Sequence, residues 1–223
     1  MRPIVPRLLR RYARGEAAAV APWIVGDRVL DLGAGEAYVA AALRERTGAA
    51  VISADVGPFA RVRAPYVVFD GRRLPFADGA VDTTLLLLTL HHCADFERVL
   101  DEAVRVTRHR LLVMESVYRN RLDRFWLDLL DGRVNRFRHA GHMAPALAFR
   151  PAAAWHAAFT DRGLGVRATC WLGSRLERLV HHPVLFVLDV GTSRHPDPRE
   201  PNGLAAVSNT QGVRVGAAAS ASP

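Results

Sequence analysis

The chain has 223 residues, half of them hydrophobic, and a formal net charge of +8. That length and apolar content suffice for a sizeable core and exclude a chain that is disordered throughout. All the basic residues are arginine, mostly scattered among acids, so the high isoelectric point alone does not argue for nucleic-acid binding. Two cysteines, Cys93 and Cys170, do not make a disulfide framework and point to a reducing compartment. The longest apolar run, around Leu85–Leu88, falls far short of a membrane span. Ala17–Val20 is too short, and followed too soon by Pro22, for a secretory signal, so the expected location is cytoplasmic.

Ile4 to Val20 reads as a helix, with arginines on one side and Leu8, Leu9 and Tyr12 on the other. Pro22 and Gly26 break the chain. Val29, Leu30 and Leu32 then form a short apolar run that stops at glycine, as a buried strand of a parallel sheet does. Gly33 and Gly35 permit a sharp turn and the close approach of a ligand to the backbone. Ala37 to Leu43 suits a helix packing back on the sheet. Such a strand, glycine loop and helix offer bare amides and a helix N-terminus to an anionic group. A dinucleotide fingerprint would need a third glycine where Tyr38 stands, and no GKS or GKT follows. Asp31, just before the glycines, would repel a pyrophosphate and suits a ligand carrying a cationic amino group.

Ala49–Ala54 reads as a second strand ending at Asp55, about twenty residues past the glycine loop, where an acid is placed to accept bonds from ribose hydroxyls. Tyr66–Phe69 is a third strand, again followed by an acid, Asp70. Val81–Leu90 is a fourth, its continuous apolar run fitting a central strand, and it leads into His91-His92-Cys93. Three consecutive side chains diverge and suit one metal ion poorly, so no metal site is expected. A histidine at a strand's carboxyl end is instead suited to removing a proton near neutral pH. Asp95–Thr107 reads as a helix, and Leu111–Met114 as a fifth strand ending at Glu115-Ser116.

Val117–Arg150 leaves this rhythm and is rich in arginine and aromatics, with Phe125, Trp126, Phe137, His139, His142 and Met143. Ala152–Arg162 reads as a further helix, and Val166–Leu172 and Pro183–Val190 as the last two strands. From Gly191 onward Pro, Gly, Ala and Ser dominate, as in a disordered tail. The expected organisation is one domain over 1–190, with 117–150 inserted, and a tail over 191–223.

Residues 29–38, VLDLGAGEAY, resemble the first motif of class I S-adenosylmethionine (SAM)-dependent methyltransferases, roughly (D/E)xGxGxG. Asp31, Gly33 and Gly35 match, and Ala37 stands where the last glycine is usual. Asp70 and the following GRRLPFADGAVD resemble the D-(A/G)-x-x-LPF-x-D-x-x-FD stretch of the ubiquinone/menaquinone-methylase type, with Val81 replacing the usual Phe. Glu102, Arg105 and Val106 fit an E-x-x-R-V helix, while the usual Leu-x-Pro-Gly-Gly turn is replaced by Thr107–Arg110. The resemblance covers residues 28–116, and 149–190 more loosely.

This resemblance implies an α/β, Rossmann-like doubly wound sheet of seven strands, mostly parallel with an antiparallel last strand. It implies SAM as cofactor and a small-molecule acceptor, aromatic or lipophilic, bound under the insertion. The implied donor contacts are Asp31, Gly33, Ala34 and Gly35 for the methionine part, Asp55 with Val56 for the ribose, and Asp70 with Gly71 for the adenine, together with Leu90. The candidate bases are His91, His92 and His142. An RNA methyltransferase using the Arg-rich insertion is one alternative, and a non-catalytic SAM-binding domain a second. Oligomeric state is not read from these residues.

Overall fold

A computed structural model describes residues 4–138, 149–173, 182–191 and 214–216. In chain order the elements are α1 (Ile4–Val20), β1 (Arg28–Leu32), α2 (Tyr38–Thr47), β2 (Ala50–Asp55), β3 (Tyr66–Val68), β4 (Val81–Leu87), α3 (Phe96–Val106), β5 (Thr107–Ser116), α4 (Arg121–Arg138), α5 (Ala152–Thr160), β6 (Gly165–Trp171), β7 (Pro183–Asp189) and β8 (Arg214–Gly216). The strands form one sheet in the order β3-β2-β1-β4-β5-β7-β6-β8. From β3 through β5 all neighbours are parallel, and β7 inserts antiparallel between β5 and β6. The Rossmann-like sheet expected from the sequence is present, with its antiparallel strand beside β5.

Period-two alternation decides what each face buries. Leu30 on β1, Leu111 and Val113 on β5, and Val184, Phe186 and Leu188 on β7 join Leu100, Trp155 and Phe159 in one cluster. That cluster is covered by α3 and α5. Val29, Leu112, Leu185 and Val187 point the other way and join Ala17, Val20 and Leu43 from α1 and α2. The central strands are thus apolar on both sides, which is why they read as continuous hydrophobic runs. Arg105 on α3 ties down the loop before β4: it donates to Glu102, to Asp78 at 2.7 Å, and to the carbonyls of Leu74 and Phe76.

Three expectations are corrected. The fourth strand ends at Leu87 rather than Leu90, because Leu88 adopts φ +55 and residues 90–92 form a 3-10 turn. The fifth strand begins at Thr107 rather than Leu111. There Arg110 is registered with Asp189 of β7 and paired with its carboxylate at 2.9 Å, which extends the strand. Within the stretch read as a disordered tail, Arg214–Gly216 pairs antiparallel with β6 as an eighth strand, since the outer edge of β6 offers backbone groups to any extended segment. Residues 192–213 and 217–223 of that tail lie outside the described residues. In the insertion, α4 occupies Arg121–Arg138.

Candidate active site

The carboxyl ends of β1, β2, β3 and β4 meet along one edge of the sheet, where open α/β sheets hold their ligands. The chain leaving β1 turns at Gly33, whose φ is +76 and whose amide donates to the Ala54 carbonyl at 2.8 Å. The next amide, of Ala34, reaches the same carbonyl at 3.3 Å. A Cβ at Gly33 would lie 2.2 Å from the Thr89 side chain, so only glycine lets the ends of β1 and β4 approach this closely. At Gly35, φ +50, an added Cβ would meet nothing within 4 Å: the loop's outer surface is open there. Ala37 takes φ +61 at the start of α2, in the position where the resembled motif carries glycine. An alanine held left-handed costs about 1 kcal/mol.

Two carboxylates flank this loop. Asp55, at the end of β2, accepts the Gly35 amide at 2.8 Å through Oδ2 and its neighbour Val56's amide at 2.7 Å through Oδ1. Tyr66 donates to both the Gly35 and Gly57 carbonyls at 3.1 Å, which pins the glycine loop to the chain beyond β2. Asp31, in β1, is only 3 % exposed, and its Oδ2 has no hydrogen-bond partner among the described residues. Burial raises its carboxyl pKa to about 7, and the nearby charge of Asp55 adds to the rise.

Beyond β3 the chain opens outward. Asp70 is exposed and folds its Oδ1 onto the amides of Arg72 and Arg73, at 2.8 and 3.0 Å. Those two bonds, Arg73's first, hold its pKa below the ordinary carboxylate range. Gly71, φ +74, lies against Val56, whose side chain is 61 % exposed. An exposed valine beside a glycine is a flat apolar shelf. Leu90 is different: its side chain is 1 % exposed and belongs to the core, so only its backbone is at the edge.

The residue that sequence reasoning passed over is Glu115. It stands at the end of β5, fully buried, and gathers the chain after β4. Its Oε1 accepts the amides of Thr89 and Leu90 at 3.2 and 2.7 Å, and its Oε2 lies 2.6 Å from His91 Nδ1. Capture of those two amides is what ends β4 early. His91 is buried, its ring stacked at 5.0 Å on Phe149 and 4.1 Å from the tilted ring of His92. Phe149 returns from the insertion, where Val117 and Arg150 form a parallel bridge. His91 and His92 are thus brought together with Glu115, whereas His142 lies outside the described residues. The signal for Glu115 was weak but present: an acid at a strand's carboxyl end, level with the strand that carries the histidines. Cys93 is inert: burial raises its thiol pKa to about 11.

The sign of the Asp31 effect on stability follows from its raised value. The unfolded chain ionises at the ordinary carboxyl pKa of 3.8 while the folded chain holds the proton up to about 7, so the folded state gains in acid and loses that gain as pH rises between the two values. Urea unfolding across this window is expected to show stability falling with pH in the wild type. In Asp31→Asn that component of the slope is expected to vanish.

Residues 30–111 match the family described as a methyltransferase domain. A demethylmenaquinone methyltransferase of Mycolicibacterium gilvum is 40% identical over 116 residues, 49% of each chain. An uncharacterized methyltransferase of Mycobacterium sp. (strain KMS) is 39% identical over 90 residues, 37% of this chain and 35% of the relative. The chain spans about half the length of the first of these relatives, and less of the second. Among solved structures, a chain of the complex between the Haloferax volcanii Trm112 methyltransferase activator and a methyltransferase superposes with a TM-score of 0.64 at 20% identity, over 86% of this chain and 94% of that one. Geranyl diphosphate methyltransferase in complex with SAM superposes with a TM-score of 0.64 at 15% identity, over 82% and 87%. Over residues 30–111 the chain is therefore similar to a methyltransferase domain, and its sheet has the Rossmann-like fold that these solved structures share.

Proposed function

We propose that the chain transfers a methyl group from SAM to a small, lipophilic acceptor. The observation that carries the donor half is Asp31: a buried carboxylate with an unpartnered oxygen, raised to a pKa of about 7, beside an open glycine loop. A neutral donor would satisfy the open oxygen but would not favour the ionised form, and an anion would oppose it. A ligand with a cationic amino group supplies both the missing donor and the charge that lets it ionise. SAM has such a group, and when bound it presents a methyl on a positively charged sulfur to the acceptor.

In this reading Asp31 takes the amino group of the methionine part, with the loop Gly33, Ala34 and Gly35 beneath it. Asp55 retains its bond to the Gly35 amide and accepts from the ribose hydroxyls with its remaining lone pairs, and Val56 and Gly71 provide the shelf for the adenine. Asp70 accepts from the adenine amino group, and Leu90 contributes only backbone. The chain's main work is alignment of donor and acceptor. Where the acceptor must lose a proton, His91 takes it. Glu115 opposite Nδ1 favours the tautomer protonated on that nitrogen and steadies the ring as it charges. His92 and His142 are the other candidates, and the inserted segment over 117–150 is the acceptor's cover.

Support for the acceptor class comes from the relative of Mycolicibacterium gilvum, a demethylmenaquinone methyltransferase, and from two structural neighbours that are geranyl diphosphate methyltransferases. The donor assignment is tested by calorimetric titration of SAM. Asp55→Ala is expected to weaken binding tenfold or more, because a charge-assisted bond of about 1.5–3 kcal/mol is lost; unchanged affinity would remove Asp55 from the site. The base is tested separately. His91→Gln is expected to bind SAM as the wild type does while turnover falls about 10²-fold or more. Glu115→Gln is expected to fall less and to shift the pH profile of turnover, which full activity in either variant would contradict.

A further inference from the structure

Helix α4 presents an apolar stripe that nothing in the described chain covers. Leu122, Phe125, Trp126 and Leu129 are spaced i, i+3, i+4 and i+7, so they lie along one side of the helix. They are 64, 57, 41 and 36 % exposed. The side turned to the body is a different one. Asp123 and Leu127, four apart, are 8 and 2 % exposed. Asp123 accepts from the Arg119 amide and guanidinium at 3.1 and 2.9 Å, and its Oδ2 lies 3.1 Å from His182 Nε2. Arg119 first, then His182, hold its pKa down at about 2, so this anchor persists through ordinary pH. The helix is therefore fixed by one face and offers another.

What frames the offered face is cationic. Arg121 and Arg124 are exposed around the start of the stripe, Arg124 lying 5.7 Å over the Tyr118 ring and 3.8 Å from Asp128. The sequence carries three further arginines, Arg133, Arg136 and Arg138, in the rest of the helix. Aromatic and leucine side chains beside arginines are the composition of a helix lying in a lipid headgroup layer. No helix among the described residues is long and apolar enough to cross a membrane, so the helix would lie on the bilayer rather than span it. Phe125 and Trp126 could stack on bases, but the leucines at both ends of the stripe suit insertion among acyl chains, which favours a bilayer over RNA.

We infer that α4 docks the enzyme on an anionic lipid bilayer through Leu122, Phe125, Trp126 and Leu129, with Arg121 and Arg124 on the headgroups. α4 follows the carboxyl end of β5, the end that carries Glu115, so docking there brings the candidate site to the membrane surface. The inference goes beyond the donor reading and does not depend on it, since lipid binding requires no SAM.

The test is co-sedimentation of the full chain with phosphatidylcholine vesicles, with and without phosphatidylserine. The wild type is expected to pellet with the phosphatidylserine vesicles and to lose binding as salt rises. Phe125→Ser/Trp126→Ser is expected to lower the partition coefficient at least tenfold. Both side chains are exposed, so its circular dichroism and SAM affinity are expected to stay unchanged. A wild type that stays in the supernatant would overturn the inference, as would a double variant that binds equally well. So would self-association that the double variant abolishes in the absence of vesicle binding, which would make a second copy of the chain the occupant.

Discussion

Two carboxylates, those of Asp31 and Asp55, flank one glycine turn, and only one of them is satisfied by the chain. Asp55 is consumed in shaping the loop, holding the Gly35 and Val56 amides. Asp31 is buried in β1 with an oxygen that nothing in the described chain answers. A buried, unanswered polar atom costs on the order of 1–3 kcal/mol. Burial, with the nearby charge of Asp55 adding to it, raises the Asp31 pKa to about 7. Natural cores seldom keep such a group without a use for it. The remainder of the edge is arranged around this cost: a glycine packed against Thr89, an open loop surface at Gly35, and a tyrosine strapping loop to loop.

The second organising group is Glu115. One carboxylate ends β4, seats the 3-10 turn at Leu90–His92 and faces the His91 ring. Strand termination and histidine placement therefore have a single cause. The aromatic contact from Phe149 then joins the far end of the inserted segment to the same histidine. Chemistry proposed for His91 thus depends on a strand end, a turn and the return of the insertion together, which is how a parallel sheet carries function on loops held by a rigid frame.

The parts legible in the sequence were those written in short range. A strand, two glycines and an acid within five residues, from Asp31 to Gly35, announce the loop, and the acids Asp55 and Asp70 follow at the ends of the next two strands. The apolar run of β4 declared a central strand because both of its faces are covered. What could not be read depends on partners far along the chain. β4 stops at Leu87 because of a carboxylate 25 or more residues later, at Glu115. Residues 107–110 are extended because Thr107 and Arg110 pair with Val81 and Thr83 of β4, and Arg110 also with Asp189 of β7, almost eighty residues on. Leu90 looked like a cleft residue by its place after the strand, but the turn directs it into the core. Nor does the composition of α4 reveal which of its faces Asp123 and Leu127 claim for the body.

The central claim is that a protonated Asp31 must ionise to hold the donor's cationic amino group. Calorimetry of SAM binding at about pH 6, in two buffers of different ionisation enthalpy, counts the protons released. The account predicts about one proton released by the wild type and none by Asp31→Asn, which should also bind more weakly. Tight binding with no proton released by the wild type, or identical behaviour of the two proteins, would contradict it.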